Sequence, residues 1–163
     1  MSPLISFILL CSAALCEQPE PRTVLRAEMV LLFQNPDGGW PKNVQWNSFE
    51  TLNDAEEGFK KFPKRKSTID NSATYTQIRE LAAAYTKTNN PNYRDAARRG
   101  LEFILREQRP SGGWRGSDVD AITFNDDAMI GVMRLLKEIT QKQSNFRWVK
   151  PAERERCQQA LAR

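Results

Sequence analysis

An all-α fold of repeated helical hairpins is what this sequence predicts, from three observations. Apolar residues recur at helical spacing in several segments, strand-like alternation is scarce, and one turn phrase occurs twice. The phrase reads QNPDGGW at residues 34–40 and QRPSGGW at residues 108–114, identical at Gln, Pro, Gly, Gly and Trp. Five matches in seven positions make chance a poor explanation.

The elements run in order along the chain. Residues 1–16 are apolar and uncharged, too short to span a bilayer, and end in small residues suited to signal peptidase. They read as a secretory signal peptide, with residues 17–163 as the domain that remains and a secreted or periplasmic location. A buried first helix is one alternative. Lipidation of Cys16 is another, the weaker because bulky Leu15 precedes it. Val24, Leu25, Met29 and Leu32 mark the first amphipathic helix, which ends at the first glycine pair. Residues 41–69 read as a loop. Helical stripes then pass through Ile78, Leu81, Ala82 and Tyr85, through Tyr93, Ala97, Leu101, Ile104 and Leu105, and through Met129, Val132, Met133 and Leu136. The breaks between them are Asn89-Asn90-Pro91 and the second glycine phrase. A last helix opens at Pro151 and carries Cys157, Ala160 and Leu161.

A second pair of phrases opens two of these helices: residues 68–73 (TIDNSA) and residues 123–128 (TFNDDA). Helix, glycine turn, loop, polar phrase and helix thus occur twice, the order of helical hairpins that close into an α/α toroid. Two hairpins do not close such a ring, so the toroid is expected to be incomplete in this chain.

Composition narrows the chemistry. With 163 residues the chain is one domain; 24 Lys and Arg against 20 Asp and Glu give a net charge of +4, a mild bias toward anionic partners. Histidine is absent, which excludes Ser/His/Asp triads, Cys/His dyads and His-ligated zinc. Once the leader is removed only Cys157 of the three cysteines remains, so no internal disulfide forms.

Asp70 and Asp126 stand at corresponding places just before helices, where Asp serves as an N-cap and the dipole favours anions. Capping is the plain reading. Asn125, Asp126 and Asp127 are consecutive, however, and adjacent carboxylates repel unless solvent, a base or a cation offsets their charge; of these a hard cation such as Ca2+ suits the oxygen ligands. Lys60, Lys61, Lys64, Arg65 and Lys66 form either a solvated loop or the wall of a groove attracting a repeated anion. Trp40 and Trp114 offer flat faces to sugar rings, but their matched positions favour packing wedges between hairpins.

Three phrases carry a family resemblance: GGWPKN at residues 38–43, TIDNSATYTQIR at residues 68–79 and ITFNDDAM at residues 122–129. Together they resemble the pectate lyases of polysaccharide lyase family ten. The resemblance implies an α/α toroid that binds polygalacturonate in a cleft and cleaves it by calcium-assisted β-elimination, with an arginine as base. It implies that Asp70, Asp126 and Asp127 hold the metal and that Lys42, Asn43, Asp70, Asn71 and Asp127 contact substrate. The base falls beyond Arg163, so no catalytic residue is assigned and this chain alone is expected to be inactive. A monomer without nucleic-acid partner or transmembrane segment is expected. Two departures stand out: residues 115–120 replace a Pro and Gln found in many members, and Ser72 stands where glycine is common. Two rivals remain, a non-catalytic calcium-dependent binder of acidic polysaccharide and a different α/α-toroid enzyme.

Overall fold

The computed structural model describes residues 21–62, 66–116 and 127–163. Residues 1–16, expected to be a signal peptide, therefore lie outside the described residues. Among the described residues six α-helices succeed one another: α1 (Pro21–Leu32), α2 (Leu52–Lys61), α3 (Tyr75–Thr88), α4 (Pro91–Arg106), α5 (Asp127–Thr140) and α6 (Pro151–Leu161). Among the described residues there is no strand, only an isolated antiparallel bridge between Trp40 and Thr68. None of the described helices is long and apolar enough to cross a membrane.

Helices α3 and α4 form one hairpin and α5 and α6 a second; α1 touches α4, α4 touches α6, and α3 touches α5. The hairpins thus stack as two layers, α1, α4 and α6 in one and α3 and α5 in the other, the repeated pairing of an α/α toroid. The stripes read from sequence face the shared core except at Met133, which is exposed at the edge of the buried face of α5 formed by Val132, Leu135, Leu136 and Ile139. Ile78, Leu81, Ala82, Leu101, Ile104, Val132 and Leu136 are all buried, each large aliphatic side chain contributing roughly 1.5–3 kcal/mol. The α3–α4 corner is made by Asn89 in left-handed conformation (φ 54°) and by Asn90, whose side chain accepts the Asn92 N–H ahead of Pro91.

The duplicated phrase folds the same way twice. Gln34 Nε2 donates to Gly38 O (2.8 Å) and Ala96 O (2.9 Å); Gln108 Nε2 donates to Gly112 O and Ala160 O (both 2.7 Å). Trp40 and Trp114 are buried, their indole N–H groups on Val30 O and Ile104 O. They are packing wedges, not sugar platforms. Gly38 (φ 96°) and Gly112 (φ 92°) need glycine on two counts, because a Cβ would also sit 2.4 Å from Arg99 O and 2.6 Å from the Arg163 carbonyl carbon.

One segment departs from the sequence reading. Residues 41–69 are not all loop, since α2 lies among them, opened by a capping box in which the Thr51 hydroxyl accepts the Asp54 N–H and the Asp54 carboxylate accepts the Thr51 N–H. Lys60 pairs with Glu57 at 2.7 Å on the exposed face of this helix. Part of the basic run is therefore a solvated helical face; Lys64 and Arg65 lie outside the described residues. Among the described residues the one cysteine is Cys157, buried and with its thiol pushed up to about 12 by desolvation, so it stays protonated and inert.

Candidate functional site

The site begins where the chain leaves the first glycine turn. Trp40 is pinned on both backbone groups: Thr68 N–H donates to its carbonyl (3.0 Å) and its own N–H donates to the Thr74 hydroxyl (3.0 Å). That hydroxyl in turn donates to Thr68 O at 2.7 Å. Thr74, fully buried, sits at φ 65°, ψ −58°, with the Tyr75 N–H on Ala73 O at 2.8 Å. This is a γ-turn of the rare, strained hand, costing on the order of 1–3 kcal/mol for a β-branched residue. The two hydrogen bonds of its side chain hold it there, and they lock the GGWPKN segment against the TIDN segment.

Locked together, the two segments align residue for residue. Lys42 Nζ meets Asp70 Oδ2 at 2.6 Å, with side chains 19% and 13% exposed, and Asn71 Nδ2 donates to Asn43 Oδ1 at 2.9 Å. The other Asp70 oxygen accepts the Asn71 N–H at 2.9 Å. Asp70 is not the cap of α3, contrary to the plain reading of its position. The helix starts five residues later at Tyr75, and the carboxylate serves the loop and Lys42 instead. Asn43 (φ 64°), Asn71 (φ 50°) and Ser72 (φ 62°) are all left-handed, a conformation Asn tolerates well. At Ser72 it is one that glycine adopts without strain; the serine is held by the Tyr75 hydroxyl, which donates to its Oγ at 3.0 Å.

Of the candidate residues, Lys42, Asn43, Asp70 and Asn71 are brought together. Asp126 lies outside the described residues; Asp127 opens α5, with its side chain likewise outside them. The heads of α3 and α5 are neighbours: a Cβ on Gly131, one turn into α5, would strike the Tyr75 ring at 2.3 Å, and Arg79 Nη2 donates to Gly131 O at 3.3 Å. Among the described residues no group of three or more acidic or cysteine side chains forms a metal cluster. The local donors are oxygen only, which suits a hard cation, yet one carboxylate already bonded to a lysine is short of a calcium shell.

Beside the Lys42–Asp70 pair lies a cleft of about 250 Å³ whose lining includes Arg26, Trp46, Gln77 and Glu80. Sequence reasoning assigned a role to none of these four, although Gln77 falls in the phrase at residues 68–79. Arg26 holds Glu80 through two bonds of 3.0 Å and lies 4.5 Å over the Trp46 ring. Arg79 is similarly clamped by Glu138, at 2.8 and 3.1 Å. These pairs join residues 54 and 59 positions apart, so helical periodicity gave no signal for them.

Residues 34–163, most of the chain and both glycine turns, match the family described as pectic acid lyase. The chain belongs to the pectic acid lyase family. Two solved structures agree, both of a family 10 polysaccharide lyase from Cellvibrio cellulosa. One is a mutant in complex with trigalacturonic acid, 28% identical with TM-score 0.70, covering 84% of this chain and 43% of that one. The other is 29% identical with TM-score 0.70, covering 84% of this chain and 42% of that one. This pectic acid lyase family chain therefore spans less than half the length of the structures it resembles. No curated protein matches it.

Proposed function

We propose that this chain is the N-terminal part of the catalytic module of a secreted, calcium-dependent pectate lyase, contributing the polygalacturonate-binding wall to a β-elimination site. The observation that carries the reading is the Lys42–Asp70 and Asn43–Asn71 pairing at the head of α3, in a member of the pectic acid lyase family. Lys42, Asn43, Asp70, Asn71 and Asp127 contact the polymer; Asp70, Asp126 and Asp127 would hold Ca2+. Bound there, the cation offsets the uronate carboxylate and so stabilises the charge that develops when the C5 proton leaves.

The chain's own residues do the rest of the positioning. Lys42 and the Asn43 and Asn71 amides supply donors to carboxylate and ring oxygens, and the Thr74 turn holds them in register. Arg26 and Arg79 are each bound by a carboxylate on two nitrogens, which ties up the guanidinium face that would otherwise meet a substrate. We place the arginine base outside this chain. The test uses polygalacturonate with and without calcium at alkaline pH, reading retention on immobilised pectate and absorbance of unsaturated uronides. Calcium-dependent retention without product is expected. Product release by this chain would overturn the placement of the base, and absence of retention by the folded protein would overturn the binding role.

A further inference from the structure

Among the described residues the exposed large apolar side chains are Leu52, Phe59, Ile130 and Met133, between 36% and 43% exposed. They fall on two helices, α2 and α5, and on one face of each. Leu52, Glu56 and Phe59 follow the i, i+4, i+7 spacing of a single stripe, and Ile130, Met133, Arg134 and Lys137 follow i, i+3, i+4, i+7. Every residue of both stripes is exposed. Each stripe runs about 10 Å along its helix.

The charges on the two stripes are opposite. Glu56 sits between the apolar side chains of α2, while Glu57 on the neighbouring row takes Lys60. On α5 the carboxylate of Glu138 is held by Arg79, and Arg134 and Lys137 lie along the apolar pair. The internal repeat shows what such an arginine does. Arg79 and Arg134 each stand eleven residues after the threonine that opens their phrase, and Tyr75 and Ile130 each seven. In the first repeat these positions make a seam between helices: the Tyr75 ring lies against Gly131, and Arg79 takes the Glu138 carboxylate. In the second repeat the same two positions are exposed. What fits them is a helix offering a short apolar stripe with a carboxylate at its middle, and α2 offers that stripe.

We infer that two copies of this chain associate reciprocally, the α5 stripe of each seated on the α2 stripe of the other, with Glu56 facing Arg134. Two patches that fit one another and lie on different helices meet twice around a twofold axis, which closes the dimer. Apolar burial holds the contact, and the opposed charges fix which stripe pairs with which. The inference is independent of the polysaccharide reading and departs from the monomer expected from the sequence. Sedimentation equilibrium of the 163-residue chain is expected to show twice the 18.7 kDa chain mass at about 10–100 μM. Arg134→Glu, Glu56→Arg and Met133→Glu each weaken association about tenfold or more, and combining Glu56→Arg with Arg134→Glu restores it to within about threefold of the wild type. These positions are exposed, so circular dichroism melting curves should move little. A monomer at every concentration, a dimer indifferent to Arg134→Glu and Met133→Glu, or a double reversal no tighter than the single variants would overturn the pairing. Growth into species larger than a dimer would overturn the twofold closure. Should Met133→Glu fail to fold, the two charge reversals and their combination decide alone.

Discussion

The two glycine turns share a skeleton and differ in the residues that come after the tryptophan. Gln34 and Gln108 bridge their own turn to a later helix through the same two carbonyl contacts, and Trp40 and Trp114 bury the same indole against the preceding helix. After Trp40 come Pro41, Lys42 and Asn43, which meet Asp70 and Asn71; after Trp114 come Arg115 and Gly116. The common part of the repeats is scaffold, and the proposed chemistry sits in the part that only the first repeat has. Substitutions in the shared part are expected to hurt both turns alike, and those after the tryptophan only one.

The largest effects test the shared part. Trp40→Ala and Trp114→Ala each cost about 3–5 kcal/mol of stability in urea unfolding, from the cavity and the orphaned Val30 or Ile104 carbonyl. Values differing by more than about half would break the equivalence. Gly38→Ala and Gly112→Ala come next at roughly 1–3 kcal/mol or more, since each Cβ meets backbone rather than a movable side chain. The part that differs ranks third. Lys42→Ala is expected to weaken calcium-dependent retention on pectate tenfold or more, leaving Asp70 without its close cation, whereas Arg115→Ala changes it less than about twofold. Equal losses would move the binding wall to the second turn.

The smallest effect sharpens the comparison through acids. Cys157 and Tyr93 lie at equivalent places, as Ala160 and Ala96 do under their glutamines. Both are buried, and both are pushed up to about 12, chiefly by desolvation, with the Tyr93 hydroxyl also bonded to Glu28 at 2.6 Å. A raised pKa confers stability that is full below the unfolded value and is lost as pH rises toward the folded one. Cys157 therefore begins to cost stability above pH 9.0 and Tyr93 above pH 10.0. By pH 10 the thiol accounts for about 1.4 kcal/mol, a loss that Cys157→Ala removes while Tyr93→Phe does not, as alkaline melting curves will show.

Much of this was legible in the chain. The apolar stripes of α1, α3, α4 and α5 became helices because each repeats a buried face, whereas α6, which buries only Cys157 and Ala160, was marked by Pro151 at its start. Helix α2 escaped because its apolar face is thin: Ala55 is buried and Phe59 exposed among charged residues. Its Thr51-x-x-Asp54 box was the signal that would have found it. Asp70 illustrates the harder limit. A carboxylate before a helix reads as a cap, and only folding reveals a lysine 28 residues upstream at its oxygen. Thr74 is similar, because nothing local announces a β-branched residue in a γ-turn; the distant bonds to Trp40 and Thr68 impose it.

The seating of the first glycine turn on α4 has a consequence for how the molecule is made. Gln34 needs the carbonyl of Ala96, Gly38 needs the backbone of Arg99, and Trp40 needs the space that Gly100 leaves. A growing polypeptide cannot finish its own beginning until the residue 62 positions beyond Gln34 has left the ribosome. The wall that carries Lys42 is thus among the later parts to set, although it is among the earlier parts translated.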